Sequence, residues 1–397
     1  MRIEPKMFRL LIVVPVALFV LCASPLIRAQ DDGCPPPGMW TVPGAPDRAP
    51  LVTADVVSIA LNAQVVLLGE RHDSMDHHRW QLQTLAALSA QPGPLVLALE
   101  MFPREVQPAL DLWIAGELTE KEFLRESGWS RHWRFDPQLY LPLFHFARMN
   151  RIPMIAVNVD SALIRRVAEE GIDAVSELRA MGISRPVAPS QSYRDYLKGS
   201  FVQHPGAATE QGEGAREERF HRFVESQLTW DRAMATGIAQ ALQRYPGRRV
   251  VGVLGSGHVI HGWGVPRQLN DLGVSGVVTL LPSDAHGQCA DWPSGYATAV
   301  FGVIPGKDPA AVPPKLGVWL APHDQGVSIR DVVEGSVAAA AGLRGGDVLM
   351  QVAGKPCRQS EDVIDRVRAQ PPGSWLPMQV LRDGQVLEVV ARFPAEP

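Results

Sequence analysis

Three apolar runs in this chain each give way to glycine or ionisable side chains, and that recurrence limits the fold more than any other feature. Val65-Val66-Leu67-Leu68 runs into Gly69-Glu70-Arg71-His72-Asp73, Leu95-Val96-Leu97-Ala98-Leu99 into Glu100, and Val250-Val251-Gly252-Val253-Leu254 into Gly255-Ser256-Gly257-His258. Unbroken runs of valine and leucine suit strands covered on both faces, as in parallel sheets. Open α/β sheets bind ligands beyond the carboxyl ends of their strands, so three such endings facing one pocket define a candidate site.

Further strand-like runs at 155–159 and 277–281 alternate with helical stretches at 74–90, 105–114, 139–149 and 227–242. The pattern predicts an α/β domain with a mostly parallel sheet flanked by helices. At 397 residues the chain exceeds one ordinary domain. Residues 1–29 read as an export signal, with Arg2, Lys6 and Arg9 ahead of an apolar run over 10–23 that is short for a membrane span. Cleavage fits after Ala29 or Ala23, and the mature protein is expected in the periplasm or otherwise outside the cytoplasm. A lipoprotein needs a small residue before Cys22; Leu21 stands there, so membrane association is the weaker expectation.

Residues 30–52 are rich in glycine and proline and read as an irregular lead-in; the main domain spans 53–303, 304–313 has linker composition, and a second domain fills 314–395. The polar, glycine-bearing stretch 198–218 reads as an insertion, either a lid or a loop. The four cysteines form no metal ribbon, and Cys34 and Cys289 flank the main domain closely enough to suggest a bridge. A net charge of −4 with no run of lysine and arginine excludes nucleic acid as a partner.

The second domain carries Leu316-Gly317-Val318, Ala341-Gly342-Leu343-Arg344-Gly345-Gly346-Asp347 and Gly354-Lys355-Pro356. It resembles a bacterial PDZ domain, a small β-rich fold. The resemblance implies that the C-terminus of a partner protein adds as a strand, its carboxylate held by the backbone of Leu316, Gly317 and Val318. The competing reading is a groove filled by the chain itself.

At the first strand end, residues 70 and 72 share a face in extended chain, so a carboxylate and an imidazole can meet one ligand. Such a pair suits metal binding or acid–base work, while an ion network of Glu70 with Arg71 or Arg104 is the competing reading. His77 and His78 follow Ser74, a helix cap, and reach the pocket or serve as ordinary first-turn residues. Glu100 ends an apolar strand and must be solvated, paired or bound, with Arg104 its expected partner. His258 lies in a glycine turn that has neither a dinucleotide nor a nucleophile-elbow spacing. His261 is a secondary candidate, and Asn158 and Asp160 read as a polar strand end or as helix caps.

Taken together, Gly69-Glu70-Arg71-His72, His77-His78, Leu99-Glu100-Met101-Phe102, Gln107, Trp113, Trp129, Tyr140, Arg148 and Gly255-Ser256-Gly257-His258 resemble the ChaN-type haem-binding uptake proteins, within a superfamily that includes Tiki metalloproteases, TraB proteins and erythromycin esterases. The resemblance implies export, haem bound through a tyrosine, and haem pairs stacked between subunits, hence a homodimer. No Cys-x-x-Cys-His run is present, so the haem is expected to be non-covalent. The tyrosine candidates are Tyr140, preferred, with Tyr193 and Tyr196.

The leading expectation is therefore an exported protein of haem or iron uptake whose PDZ domain recruits a peptide. The wider superfamily implies the alternative, a periplasmic metal-dependent hydrolase or peptidase. There His72, Glu100 and His258 would hold Zn, Mn or Co, Glu70 would activate water, and the catalytic set would be Glu70, His72, Glu100, Arg104 and His258. A non-catalytic scaffold with inherited ion networks ranks third.

Overall fold

The computed structural model describes residues 34–45, 48–202, 213–284, 292–304, 314–371 and 373–395, in two compact units that divide after residue 305. The first unit contains, in chain order, β1 (Trp40–Thr41), α1 (Thr53–Leu61), β2 (Val65–Glu70), α2 (Met75–Ser89), β3 (Leu95–Pro103), α3 (Gln107–Ala115), α4 (Glu120–Glu126), α5 (Trp129–His132), α6 (Leu141–Met149), β4 (Met154–Asn158), α7 (Ser161–Glu170), α8 (Ser176–Ala180), α9 (Gln191–Val202), α10 (Glu213–Arg244), β5 (Arg249–Gly255), α11 (Val265–Asp271), β6 (Val277–Asp284) and β7 (Ala299–Val303). Its seven-stranded sheet runs β1-β7-β6-β2-β5-β3-β4, parallel throughout except for β1. The expected α/β class is the observed one.

Alternation within each strand fills two cores. Val66, Leu68, Leu97 and Leu99 face one side, where Phe102, Trp113, Phe123, Trp129, Tyr140 and Phe144 pack edge to face and stacked. Val65, Leu67, Val96 and Ala98 face the other, against Met234 and Ile238 of α10 and Leu269 of α11. Each such side chain contributes about 1.5–3 kcal/mol by leaving water. Helix α10 lies close on the sheet because Gly237 has no side chain: a Cβ there would stand 2.9 Å from Val157 Cα. At the sheet edge, the Gln107 side chain replaces a missing strand, donating to Met154 O (2.8 Å) and accepting from Ala156 N (2.9 Å), which blunts β4.

Strand order brings the three polar endings together. β5 lies between β2 and β3, with Glu70 level with Gly255. Unlike the sequence expectation, β3 does not stop at Glu100. It continues to Pro103, with extra residues between the pairs Leu99↔Ala156 and Pro103↔Asn158, a bulge at the position of Glu100.

Other expectations need adjustment. The lead-in contains β1, which pairs antiparallel with β7. The insertion's flanks are helical, 198–202 closing α9 and 213–218 opening α10, while 203–212 lie outside the described residues. Cys34 is disulfide-bonded; Cys289, its expected partner, also lies outside the described residues. The export signal and the linker 305–313 do as well.

The second unit contains β8 (Val318–His323), β9 (Gly326–Val332), α12 (Val337–Ala340), β10 (Val348–Val352), β11 (Lys355–Pro356), α13 (Ser360–Arg368), β12 (Trp375–Arg382) and β13 (Gln385–Arg392). All its strand pairings are antiparallel, in the order β13-β12-β10-β9-β8 with β11 on β10. Val327, Ile329, Leu349, Val363, Val367 and Val380 form its core. Buried Asp347 accepts from Arg382 at 2.7 Å through both oxygens, anchoring the Gly-Asp block to β12.

Candidate functional site

Glu70 closes β2 with its carboxylate fully buried. Oε1 accepts from Tyr140 Oη at 2.6 Å and from His72 Nδ1 at 2.8 Å; Oε2 accepts from Gln81 Nε2 at 2.9 Å and lies 3.4 Å from His78 Nδ1. Burial pushes the carboxyl up, but the hydrogen bond from His72, the neighbouring imidazoles and the Tyr140 hydroxyl outweigh it, and Glu70 titrates below its usual value. Three donors hold Glu70 in place, and it in turn orients His72. The Tyr140 phenol is driven up by burial and by Glu70.

His72 is thereby fixed with Nδ1 on Glu70 and its Nε2 edge toward Gly255, where a Cβ would come within 3.1 Å. Trp133 and Phe135 wall the ring at 4.7 and 5.2 Å. Burial lowers the pKa of His72, but Glu70 and Glu100 raise it further, and the net shift is upward.

Glu100 accepts from Gly255 N at 2.6 Å through Oε2 and places Oε1 3.5 Å from His258 Nε2. The other nitrogen of His258, Nδ1, meets Asp231 Oδ1 at 2.6 Å, and Asp231 Oδ2 accepts from Tyr193 Oη at 2.7 Å. Burial would neutralise His258, but Glu100 and Asp231 outweigh it and hold its pKa at about 9. Two carboxylate-bound imidazoles, His72 on Glu70 and His258 on Asp231, thus flank Gly255 and Glu100. The arrangement can hold, give or accept a proton at two positions of one pocket.

Glu70, His72, Glu100 and His258 are brought together; Arg104 is not. Pro103 and a 3₁₀ turn (Arg104–Val106) carry its guanidinium away to the carbonyls of Met181 (3.0 Å) and Ala233 (2.7 Å), where burial lowers it to about 10. The expected Glu100–Arg104 pair is not formed. Arg71 also turns away, to Asp73 (2.9 Å) and Asp284 (2.6 Å), and His77 joins it on Asp284. His78 is a buried partner of Glu70, Asn158 binds Glu100 O (2.8 Å), and Asp160 caps α7 through Ala162 N (2.8 Å).

Among the described residues, the group of imidazoles and carboxylates whose ligand atoms lie within 4.8 Å of one another is Glu105, His132 and Asp160. The expected metal trio of His72, Glu100 and His258 does not close to that distance. Tyr140, the preferred haem tyrosine, has no exposed surface and a committed hydroxyl, and Tyr193 is equally sealed by Asp231. Tyr196 is 37% exposed and lies tilted against Trp263, 5.8 Å between ring centres, and the Trp263 ring stacks on His261 at 4.0 Å. Sequence reasoning missed Asp231. Its signal was a charged pair, Asp231-Arg232, inside an otherwise apolar helical stretch.

In the second unit, Gly317 adopts φ +84°, and a Cβ there would collide with Ser336. Leu316 O and Gly317 O accept from Ala338 N (2.8 Å) and Val333 N (2.9 Å), while the amides of Leu316 and Gly317 donate to no acceptor among the described residues. These amides lie beside β8, an edge strand among the described residues.

The fold and pocket define a class: an α/β protein with ionisable groups gathered at parallel strand ends, joined to a PDZ unit. Residues 56–269 match the family described as haem-binding uptake, Tiki superfamily, ChaN, and the chain belongs to that family. Residues 314–391 match the PDZ domain. The fold is shared with ChaN of Campylobacter jejuni, whose structure shows cofacial haem binding. That match has a TM-score of 0.51 at 18% identity, covering 66% of this chain and 96% of the other. Two shorter matches are a putative zinc metalloprotease of Ralstonia nicotianae, 37% identical over 70 residues (18% of this chain, 15% of that protein), and the periplasmic pH-dependent serine endoprotease DegQ of Escherichia coli, 32% identical over 65 residues (16% and 14%). The chain spans less than a sixth of either relative's length. No described helix is long and apolar enough to cross a membrane.

Proposed function

We propose that this chain is an exported haem-binding protein of haem or iron uptake, with a PDZ unit that takes the C-terminal peptide of a partner. Family membership over the first unit is the observation that carries the reading. The donor set fits a non-covalently bound haem at one tyrosine: Tyr196, whose partly exposed ring lies tilted against Trp263, itself stacked on His261. Burial raises the Tyr196 phenol, so ligation depends on ferric iron displacing its proton. Haem titration of the purified protein is expected to give a Soret band, and Tyr196→Phe to shift that band and weaken binding by at least tenfold while Tyr140→Phe leaves its position unchanged. An unaltered spectrum in Tyr196→Phe refutes the ligand; no Soret shift in the wild type at micromolar haem refutes the function.

A second reading, hydrolysis at the strand ends, is favoured by His258, held between Asp231 and Glu100 in an orientation that haem at Tyr196 does not require. Release of product from ester or peptide substrates, lost in His258→Gln and retained in Tyr196→Phe, is its expected signature. The amides of Leu316 and Gly317, which meet no acceptor among the described residues, support peptide capture. Peptides ending in a free carboxylate are expected to bind at least tenfold tighter than their C-terminal amides, and equal binding refutes it.

A further inference from the structure

Glu105, His132 and Asp160 come from three separate elements, the turn after β3, the end of α5 and the start of α7, yet their ligand atoms all lie within 4.8 Å of one another. The His132 side chain is only 7% exposed, and its Nδ1 stops 3.9 Å from Asp160 Oδ2. That gap is beyond hydrogen-bond reach, and among the described residues Nδ1 has no other partner. It does match two ligands of one ion, since atoms each about 2.0–2.2 Å from a metal lie roughly 3–4 Å apart. Asp160 Oδ1 is occupied by Ala162 N, which leaves Oδ2 directed at the gap. A nearly buried imidazole nitrogen is therefore aimed at a carboxylate oxygen it does not bond.

We propose that Glu105, His132 and Asp160 form a divalent transition-metal site distinct from the strand-end pocket and from the aromatic face at Tyr196. One imidazole and two carboxylates suit borderline Zn²⁺ and the harder Mn²⁺, and three protein ligands leave positions for water. Arg131 donates to His132 Nε2 at 2.7 Å. Binding at Nδ1 moves the ring proton to Nε2, so the exposed guanidinium of Arg131 must swing away. The ion would tie α5 to the turn after β3 and to α7, next to Trp133, which walls His72.

The test is calorimetric titration of the chelator-treated full chain with ZnCl₂, together with elemental analysis after desalting. One ion per chain is expected, with affinity falling about 100-fold or more in His132→Ala and in Asp160→Asn, since even outer-shell changes cost 10–100-fold. Asparagine keeps the cap of α7, so that variant loses a ligand without losing its helix start. His145→Ala, which removes a surface histidine 3.1 Å from Glu120, is the control for adventitious binding and should bind as the wild type does. Asp160→Asn binding like the wild type, an equal loss in His145→Ala, or no stoichiometric binding below about 100 µM would each overturn the site.

Discussion

Replacing Glu70 with glutamine keeps the side chain's shape and removes the charge on which three donors converge. Glu70 accepts from Tyr140 (2.6 Å) and His72 (2.8 Å) on one oxygen and from Gln81 (2.9 Å) on the other, beside His78. Bonds to a charged acceptor contribute about 1.5–3 kcal/mol against about 0.5–1.5 for neutral ones, and the new NH₂ faces one donor set, orphaning a donor at about 1–3 kcal/mol. Two weakened bonds and one orphan give about 3–6 kcal/mol, overlapping the range of about 3–5 kcal/mol for breaking a buried pair. The pH dependence follows from the two shifts. Glu70 is depressed, so its stabilisation is present above its unfolded value near about 4.3 and fades as pH falls through the folded value. His72 is raised, so its share is full below about 6.5 and is lost as pH rises through its folded value. The difference between wild type and Glu70→Gln should therefore peak between about pH 4.5 and 6.5 and shrink on both sides. Urea unfolding at several pH values measures it, and NMR titration should show His72 moving down in the variant. A difference below about 0.5 kcal/mol at pH 5.5, or an unmoved His72, refutes this account of the cluster.

Two further outcomes follow from the same geometry. His258, held at about 9, stabilises the folded unit below about pH 6.5 and loses that contribution, about 3 kcal/mol, as pH rises to 9. Urea midpoints that do not move over that interval, or that move equally in Asp231→Asn, contradict the assignment. Gly317→Ala should cost the second unit more than about 1 kcal/mol, because φ +84° and the Ser336 side chain both oppose a Cβ. An unchanged thermal transition for that unit would refute it.

Much of this arrangement was legible in the sequence because buried parallel strands leave an unmistakable trace: runs such as 65–68 and 250–254 can pack only with both faces covered, and they stop where the chain reaches the rim. Strand order was not legible. Nothing local in the sequence places β5 between β2 and β3, yet that insertion alone sets Gly255 between His72 and Glu100. Arg104 was misread for a local reason. A residue four beyond Glu100 is a partner on a helix, but here a bulged strand and a 3₁₀ turn intervene. The burial of Tyr140 was legible from its aromatic surroundings; the partner of its hydroxyl was not, since Glu70 lies seventy positions away.

The two imidazole–carboxylate pairs are costly to bury, at several kcal/mol per ion before compensation. Glu70 is compensated from within the first core by Tyr140 and Gln81, which makes that pair a rigid wall. Asp231 is compensated by Tyr193, and Tyr193 stacks on Tyr196 and lies tilted against Trp263. The Tyr196 hydroxyl in turn stands close to Gly257, where a Cβ would lie 3.6 Å away, one residue before His258. The exposed aromatic face and the buried proton-bearing pair are thus parts of one assembly. On the proposed reading, a ligand seated at Tyr196 would press on the same tyrosine that fixes Asp231, and through Asp231 on the proton of His258.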